Sequence, residues 1–198
     1  MRVFKGFDAL EAPFAGGAVA AVGSFDGVHR GHRFLFDQMR RLAAQRSMQM
    51  VVVTFDPHPR RVTKGSNRLL STLDEKLILM EHAGVENVVV VHFDEQFMRL
   101  TGEEFLRDYL IARLGLRVIF ASEGHHFGHD RRSGEDLYPH YKIECVKLAR
   151  LEGISSTMIR ELIEQGRMAQ AEELLGEPYL ILSPIEDSTK LLPPKTSR

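Results

Sequence analysis

The chain has 198 residues, 43% of them hydrophobic, with 26 Lys and Arg against 27 Asp and Glu. That is enough apolar material for the core of one domain, and the balanced charge gives no sign of nucleic acid as a partner. One cysteine, Cys145, excludes an intrachain disulfide and a cysteine-rich zinc site, and no apolar run approaches the roughly 20 residues of a membrane span. The N-terminal MRVFKGFDALEAPF lacks a continuous apolar stretch of signal-peptide length, so a soluble, cytoplasmic protein is expected.

In chain order, the first expected strand is 18–22 (AVAAV). It runs into Gly23-Ser24-Phe25-Asp26-Gly27-Val28-His29-Arg30-Gly31-His32, and then into a helix over 34–46 with Phe34, Leu35, Met39 and Leu42 at helical spacing. A strand at 50–55 follows, then the loop Asp56-Pro57-His58-Pro59-Arg60-Arg61, which two prolines fix. A helix is expected over 72–82 from Leu73, Leu77 and Met80, a strand at 87–93, and a helix over 102–114 from Phe105, Leu106, Tyr109, Leu110 and Leu114. Strands at 117–121 and 143–148 bracket a His-rich loop, and Cys145 reads as a small buried apolar residue of the second. Two helices close the domain, 155–165 with Ser156 or Thr157 as N-cap and 168–175, ended by Gly166 and Gly176. Residues 1–182 form the domain and 183–198 a Pro-containing tail. Alternating strands and helices imply an α/β fold, a doubly wound parallel sheet of about five strands with helices on both faces and a small helical segment at the C-terminus.

Ligands in such sheets bind beyond the C-terminal ends of the strands. Four polar or Gly-rich segments hold that position, 23–32, 56–61, 122–134 and 153–157, and together they are expected to line one cleft. In the first, H-x-G-H opens a helix, where backbone N–H groups favour anions and two imidazoles add donors for a phosphoryl group. In the second, His58, Arg60 or Arg61 would lie near a phosphate. In the third, His125, His126 and His129 match no zinc spacing, so no metal site is expected. A flexible loop over a ring or phosphate fits better, with Phe127 stacking and Arg131 or Arg132 holding phosphate. In the fourth, Arg160 shares a helix face with Thr157, beside hydroxyls at the helix start. No Ser-His-Asp order or carboxylate pair marks a hydrolase, and Asp26 and Asp56 stand too far apart in sequence to claim a two-metal centre. In-line nucleotidyl transfer, which needs positioning and charge rather than a covalent nucleophile, is the chemistry that fits.

The segment GSFDGVHRGH resembles the first motif of the HIGH-superfamily nucleotidylyltransferases, and most closely the adenylyltransferase module of bacterial FAD synthetases. VVVTFDPHPRRV, the stretch from LLSTLDEKL to FLRDYL, and ISSTMIRELIEQGRMAQAEELLGEPY are similar to later segments of that family, over about residues 15–180. The resemblance implies a Rossmann-like domain that joins FMN and ATP into FAD, with Mg²⁺, releasing pyrophosphate. It places His29, His32 and Arg160 in catalysis. It gives Gly23, Phe25, Gly31, Ser156 and Thr157 to ATP, and Asp56, Pro57, His58, Phe127, Gly128 and Arg131 to the flavin and its phosphate. Bacterial FAD synthetases usually carry a riboflavin kinase barrel of about 100 further residues, so a chain of this length is expected not to phosphorylate riboflavin. Their flavin loop reads Gly-x-Asp/Asn-Phe-x-Phe-Gly; here Ser122, Gly124 and His125 replace three of its positions, while Phe127 and Gly128 match. That difference keeps two other readings open, transfer to another phosphorylated acceptor and a non-catalytic nucleotide- or flavin-binding paralogue.

Overall fold

Val51, Val52 and Val53 have no solvent exposure, and neither do Ala18, Val19 and Ala20. Strands covered on both faces need a layer of helices on each side. In the computed structural model, which describes residues 1–65, 68–121, 126–148 and 153–182, they are the middle of a six-stranded sheet. The strands are β1 (Arg2–Lys5), β2 (Ala18–Val22), β3 (Gln49–Asp56), β4 (Asn87–His92) and β5 (Leu116–Ala121). A two-residue antiparallel pair, β6 (His126–Phe127) with β7 (Arg132–Ser133), precedes β8 (Glu144–Lys147). The sheet order is β1-β4-β3-β2-β5-β8, parallel throughout.

The sixth strand, β1, is the one that sequence periodicity misses. It is a short edge strand with its side chains largely exposed, fixed by its ladder to β4 and by Arg2 Nε donating to Asn87 Oδ1 at 2.8 Å. Such a strand has no apolar alternation to read. Cys145, expected buried, is half-buried on β8.

Helix α1 (Arg30–Gln45) starts four residues earlier than its apolar period suggests, so Gly31 and His32 lie in its first turn. The stretch expected to be a rigid loop contains α2 (Pro59–Lys64), with Pro59 in the first helical turn and His58 as N-cap, its Nδ1 accepting from Arg60 N at 3.0 Å. Helix α3 (Leu73–His82) opens with a reciprocal Thr72–Glu75 capping box. Next come α4 (Glu95–Met98), capped by Asp94, and α5 (Gly102–Glu104), which runs into a π-helical stretch at Phe105–Ile111. After α6 (Gly134–Leu137) come α7 (Ser156–Glu164) and α8 (Met168–Leu175). The N-cap of α7 is Ser155, whose Oγ accepts from Met158 N at 3.2 Å; the expected caps, Ser156 and Thr157, are already helical. The expected tail, 183–198, lies outside the described residues.

The alternation along each strand divides the core. Ala18, Ala20, Val51 and Val53 face Phe105, Leu106 and Leu110, while Val19, Ala21, Met50 and Val52 face Phe36, Met39 and Met80. A small third cluster of Leu70, Ile159, Ala171 and Leu175 packs α7 and α8 against the segment before α3. Strands β3, β4 and β1 extend to one side of β2, and β5 and β8 to the other. The Gly23–His32 turn therefore leaves the sheet at the point where strand order reverses, the usual place for a ligand in this architecture.

Candidate active site

The turn after β2 is strained. Phe25 and Val28 adopt φ of 49° and 39°, a region that side-chain-bearing residues rarely occupy, and both are buried. What holds it is Asp26, itself buried. Its Oδ1 accepts from Leu70 N at 2.9 Å and Ser71 N at 3.2 Å, and its Oδ2 accepts from Arg160 at 2.7 Å. The Asp26 backbone carbonyl accepts from Ser156 Oγ at 3.0 Å, and the other guanidinium arm of Arg160 reaches Thr157 Oγ1 at 3.1 Å. The start of α7 is thus fastened to the turn after β2.

The turn delivers His29 to the N-cap of α1, but its side chain caps nothing and the first turn carries no acid. The N–H groups of His32 and Arg33 donate to His29 O at 2.8 and 3.0 Å, while those of Arg30 and Gly31, at the start of the 16-residue helix, have no acceptor within it. The His29 ring stacks on His32 at 3.7 Å with the planes 17° apart, and Phe25 packs edge-on to His32 at 5.2 Å. A side chain at position 31 would press on the His29 ring, since a Cβ on Gly31 would lie 3.2 Å from it. The Nδ1 atoms of His29 and His32 are buried, and no other described residue supplies either with a hydrogen-bond partner. Burial lowers the pKa of His29 to about 4, against a smaller opposing effect of its own backbone. Burial and then the neighbouring His29 hold His32 well below the usual imidazole range. Both rings are therefore neutral at pH 7, and each has one N–H to donate.

Among the described residues this edge carries separate cavities, where the sequence suggests one cleft. A cavity of about 350 Å³ is lined by Gly23, Phe25, His29, Gly31 and His32 on one side and by Phe120, Ser155 and Ser156 on the other. A second, of about 440 Å³, is aromatic: Phe55, Phe93, Phe97 and Phe105 line it, with His126, Gly128 and His129. The two have Val22, Gly23 and Ser24 in common, so the end of β2 is a wall between them. The third, of about 500 Å³, is lined by Asp26, Asp56, His58, Arg61 and Lys76 among others.

The sequence pattern of the FAD synthetase family matches residues 12–160. The chain belongs to the FAD synthetase family. It is 36% identical over 182 residues to a Geobacillus thermodenitrificans protein provisionally named a bifunctional riboflavin kinase/FMN adenylyltransferase, covering 90% of this chain and 98% of that protein. It is 31% identical over 191 residues to the bifunctional riboflavin kinase/FMN adenylyltransferase of Escherichia coli K12, with 91% of this chain aligned and 61% of that relative's length spanned. A crystal structure described as a macrolide-efflux protein from Streptococcus pneumoniae superposes with a TM-score of 0.78 at 28% identity, over 90% of this chain and 62% of that one. Pantothenate synthetase from Thermus thermophilus shares the fold, with a TM-score of 0.50 at 19% identity over 89% of this chain and 82% of that one. No helix among the described residues is long and apolar enough to cross a membrane.

In this FAD synthetase chain the structure gathers Gly23, Phe25, His29, Gly31, His32 and Ser156 at the histidine cavity. Thr157 and Arg160 line none of the three cavities; Arg160 is tied to Asp26, which lines the third, and to Thr157. The residues given to the flavin are dispersed. Gly128 lines the aromatic cavity, and its φ of 67° matters there, because a Cβ would fall 2.2 Å from Gly102 N. Asp56 and His58 line the third cavity instead, and the Asp56–Pro57 bond is cis. Arg131 is exposed and lines none of these cavities, while residues 122–125 and the side chain of Phe127 lie outside what is described. Sequence reasoning missed Asp26 as the hub of the turn, and it missed Phe55, Phe93 and Phe97. The F-D-E-Q-F spacing of the last two, just after a strand, is a signal that was there to use.

Proposed function

We propose that this chain transfers the AMP moiety of ATP to FMN, giving FAD and pyrophosphate. The observation that carries the reading is the shared wall: an anion-seeking helix start with two neutral imidazoles on one side of Gly23–Ser24, and an aromatic cavity for a planar ring on the other. The ATP phosphates would lie at the N-terminus of α1, accepting from its free N–H groups and from His29 and His32. Arg160 would face the β- and γ-phosphates as a pre-set fork, since Asp26 and Thr157 already fix its orientation. The isoalloxazine ring would pack among Phe55, Phe93 and Phe97, whose rings stand 5.4–5.9 Å apart, so that the FMN phosphate meets the α-phosphorus at the wall.

A phosphate oxygen of FMN then attacks that phosphorus, the bond to the β-phosphate bridging oxygen breaks, and pyrophosphate leaves with the electron pair. No protein nucleophile is used. Among the described residues no three His, Cys, Asp or Glu side chains are grouped to hold a metal ion. Mg²⁺ is proposed to arrive on the ATP phosphates and to offset their charge. A reaction between small-molecule substrates of this kind is proposed to run in the cytoplasm.

The test is to incubate the protein with ATP, Mg²⁺ and either FMN or riboflavin, following FAD by chromatography and pyrophosphate release in parallel. FAD from FMN is the expected result. ATP binding without FAD would remove the flavin assignment, and pyrophosphate release with a different phosphorylated acceptor would replace it.

A further inference from the structure

Among the described residues Lys76 is the only lysine or arginine that is buried, with 5% exposure, and nothing in the transfer step above uses it. It stands in the first turns of α3 and reaches between the ends of β2 and β3. Its Nζ donates to Thr54 Oγ1 at 3.0 Å, Phe55 O at 3.2 Å and Ser24 O at 3.3 Å. The Thr54 hydroxyl proton is already committed to Ser24 O at 3.2 Å, which leaves the oxygen a lone pair for the lysine. An ammonium has three N–H donors and no acceptor. Here three donors meet three acceptors, and a neutral amine, with two N–H groups, could serve only two of them.

The anchored groups are those that separate the two cavities. Ser24 lines both, and Phe55 lines the aromatic one. We infer that Lys76, as its ammonium, is a positioning residue for transfer, holding the Ser24–Phe55 wall in the shape that brings the acceptor phosphate in line with the α-phosphorus. The inference rests on the adenylyl-transfer reading. The ionisable groups around the ammonium are Asp26 from the β2–α1 turn, Asp56 from β3, His58 at the N-cap of α2, Arg61 from α2, Glu75 from α3 and Tyr179 beyond α8, with Arg60 and Arg160 acting on His58 beside it. Burial, only partly opposed by Asp26 and Asp56, lowers the lysine pKa to about 8. The wall should therefore lose its anchor as pH rises through about 8.

The experiment is single-turnover FAD formation from ATP, Mg²⁺ and FMN between about pH 6.5 and 10, a span that brackets the lysine's titration, in the wild type, Lys76→Met and Thr54→Val. In the wild type the transfer rate should fall as pH rises through about 8. Lys76→Met should slow transfer roughly tenfold to a hundredfold, the scale of a small misplacement. It should remove the alkaline limb and leave the KM for ATP and FMN nearly unchanged. Thr54→Val keeps the charge but deletes one acceptor, so the limb should move to lower pH. A Lys76→Met protein with the wild-type rate and profile overturns the inference. If that variant does not fold by circular dichroism, Thr54→Val decides, and an unmoved limb overturns it equally. A wild type that forms no FAD at any pH defeats the adenylyl-transfer reading and this inference with it, whereas FAD with an unmoved limb defeats this inference alone.

Discussion

The histidine cavity takes most of its polar lining from one unbroken stretch, Gly23 to His32, with Ser155 and Ser156 added from the start of α7. The aromatic cavity is assembled from β3 (Phe55), the segment around α4 (Phe93, Phe97), the π-helical stretch (Phe105) and the loop after β6 (Gly128, His129). In the first, chemistry is packed into a strained turn whose backbone is pinned by Asp26, so geometry and charge are set before any ligand arrives. In the second, rings meet at interplanar angles of 54° to 80°, an arrangement that grips by area and shape. A site that stabilises charge gains from preorganisation; one that accepts a flat ring needs width and apolar surface. The difference predicts that substitutions on the two sides fail in different ways.

The largest effect is expected at His32. Its ring is stacked on His29 and edged by Phe25, and its one N–H is proposed to act on the phosphates. His32→Ala should lower turnover roughly 10²- to 10³-fold, the scale for one lost donor to developing charge. The KM for FMN should hardly move, because the aromatic cavity is untouched. FAD formation beside a thermal melt checks both halves. Near-normal turnover in a folded variant would break the distinction between a charge-stabilising side and a ring-binding side.

Acid should act on the histidine side too, through stability. His29 has a folded-state pKa of about 4 against 6.5 when exposed, and His32 is shifted in the same direction. Below pH 6.5 the unfolded chain takes up protons that the folded one refuses, so this contribution is complete above 6.5 and is lost as pH falls toward 4. At about 1.4 kcal/mol per unit, His29 alone represents on the order of 3 kcal/mol. Urea unfolding at pH 7, 6 and 5 should show a slope that His29→Gln reduces. A slope identical in that variant would mean the ring is charged in the fold. The kcat/KM for ATP should show no acid limb near 6.5, since neither ring titrates there.

These contrasts also explain which features are legible in the sequence. A strand, a Gly-rich turn and a helix start that follow one another are a local pattern, and the Val-rich runs at Val51–Val53 and Val88–Val91 announce buried parallel strands by composition alone. The aromatic cavity has little local pattern, because its four phenylalanines come from three stretches, only Phe93 and Phe97 stand close in sequence, and each, taken singly, reads as core. The edge strand β1 carries no apolar period. Asp56 and His58 follow a strand in the same topological position as the turn after β2, yet the helix start at Pro59, capped by His58, carries them to another cavity. Asp26 and Lys76 escape because their importance lies in partners 44 to 134 positions away for the aspartate and 21 to 52 for the lysine. No window on the chain contains those pairs.

On the aromatic side the expected effect is smaller and falls on a different constant. Phe97 touches Phe55, Phe93 and Phe105 at ring-centroid distances of 5.4–5.9 Å and is itself half-buried. Phe97→Ala removes one face of the cavity while its neighbours remain. An aromatic pair contributes about 0.5–1.5 kcal/mol beyond its area, so the KM for FMN should rise roughly tenfold with the KM for ATP unchanged. Steady-state kinetics with each substrate varied in turn separates the two. A parallel rise in both would place Phe97 on the wall and not in a ring-binding cavity.

The smallest effect is expected where the histidine side takes its second piece, at Ser155. Its Oγ caps α7 by accepting from Met158 N at 3.2 Å, and the hydroxyls of Ser156 and Thr157 are left for other work. One holds the Asp26 carbonyl and the other holds Arg160. Ser155→Ala should therefore cost about 1 kcal/mol of stability, the usual value of a lost N-cap. Its kinetic trace should be confined to ATP, because a fraying first turn loosens Arg160 without reaching the phenylalanines. If Ser156→Ala costs the same stability but disturbs the ATP KM more, the two serines have separate tasks, one maintaining the helix and one locking the turn. Identical effects from both substitutions would mean that α7 is fastened by its start as a whole, and that the hydroxyl on Asp26 adds nothing of its own.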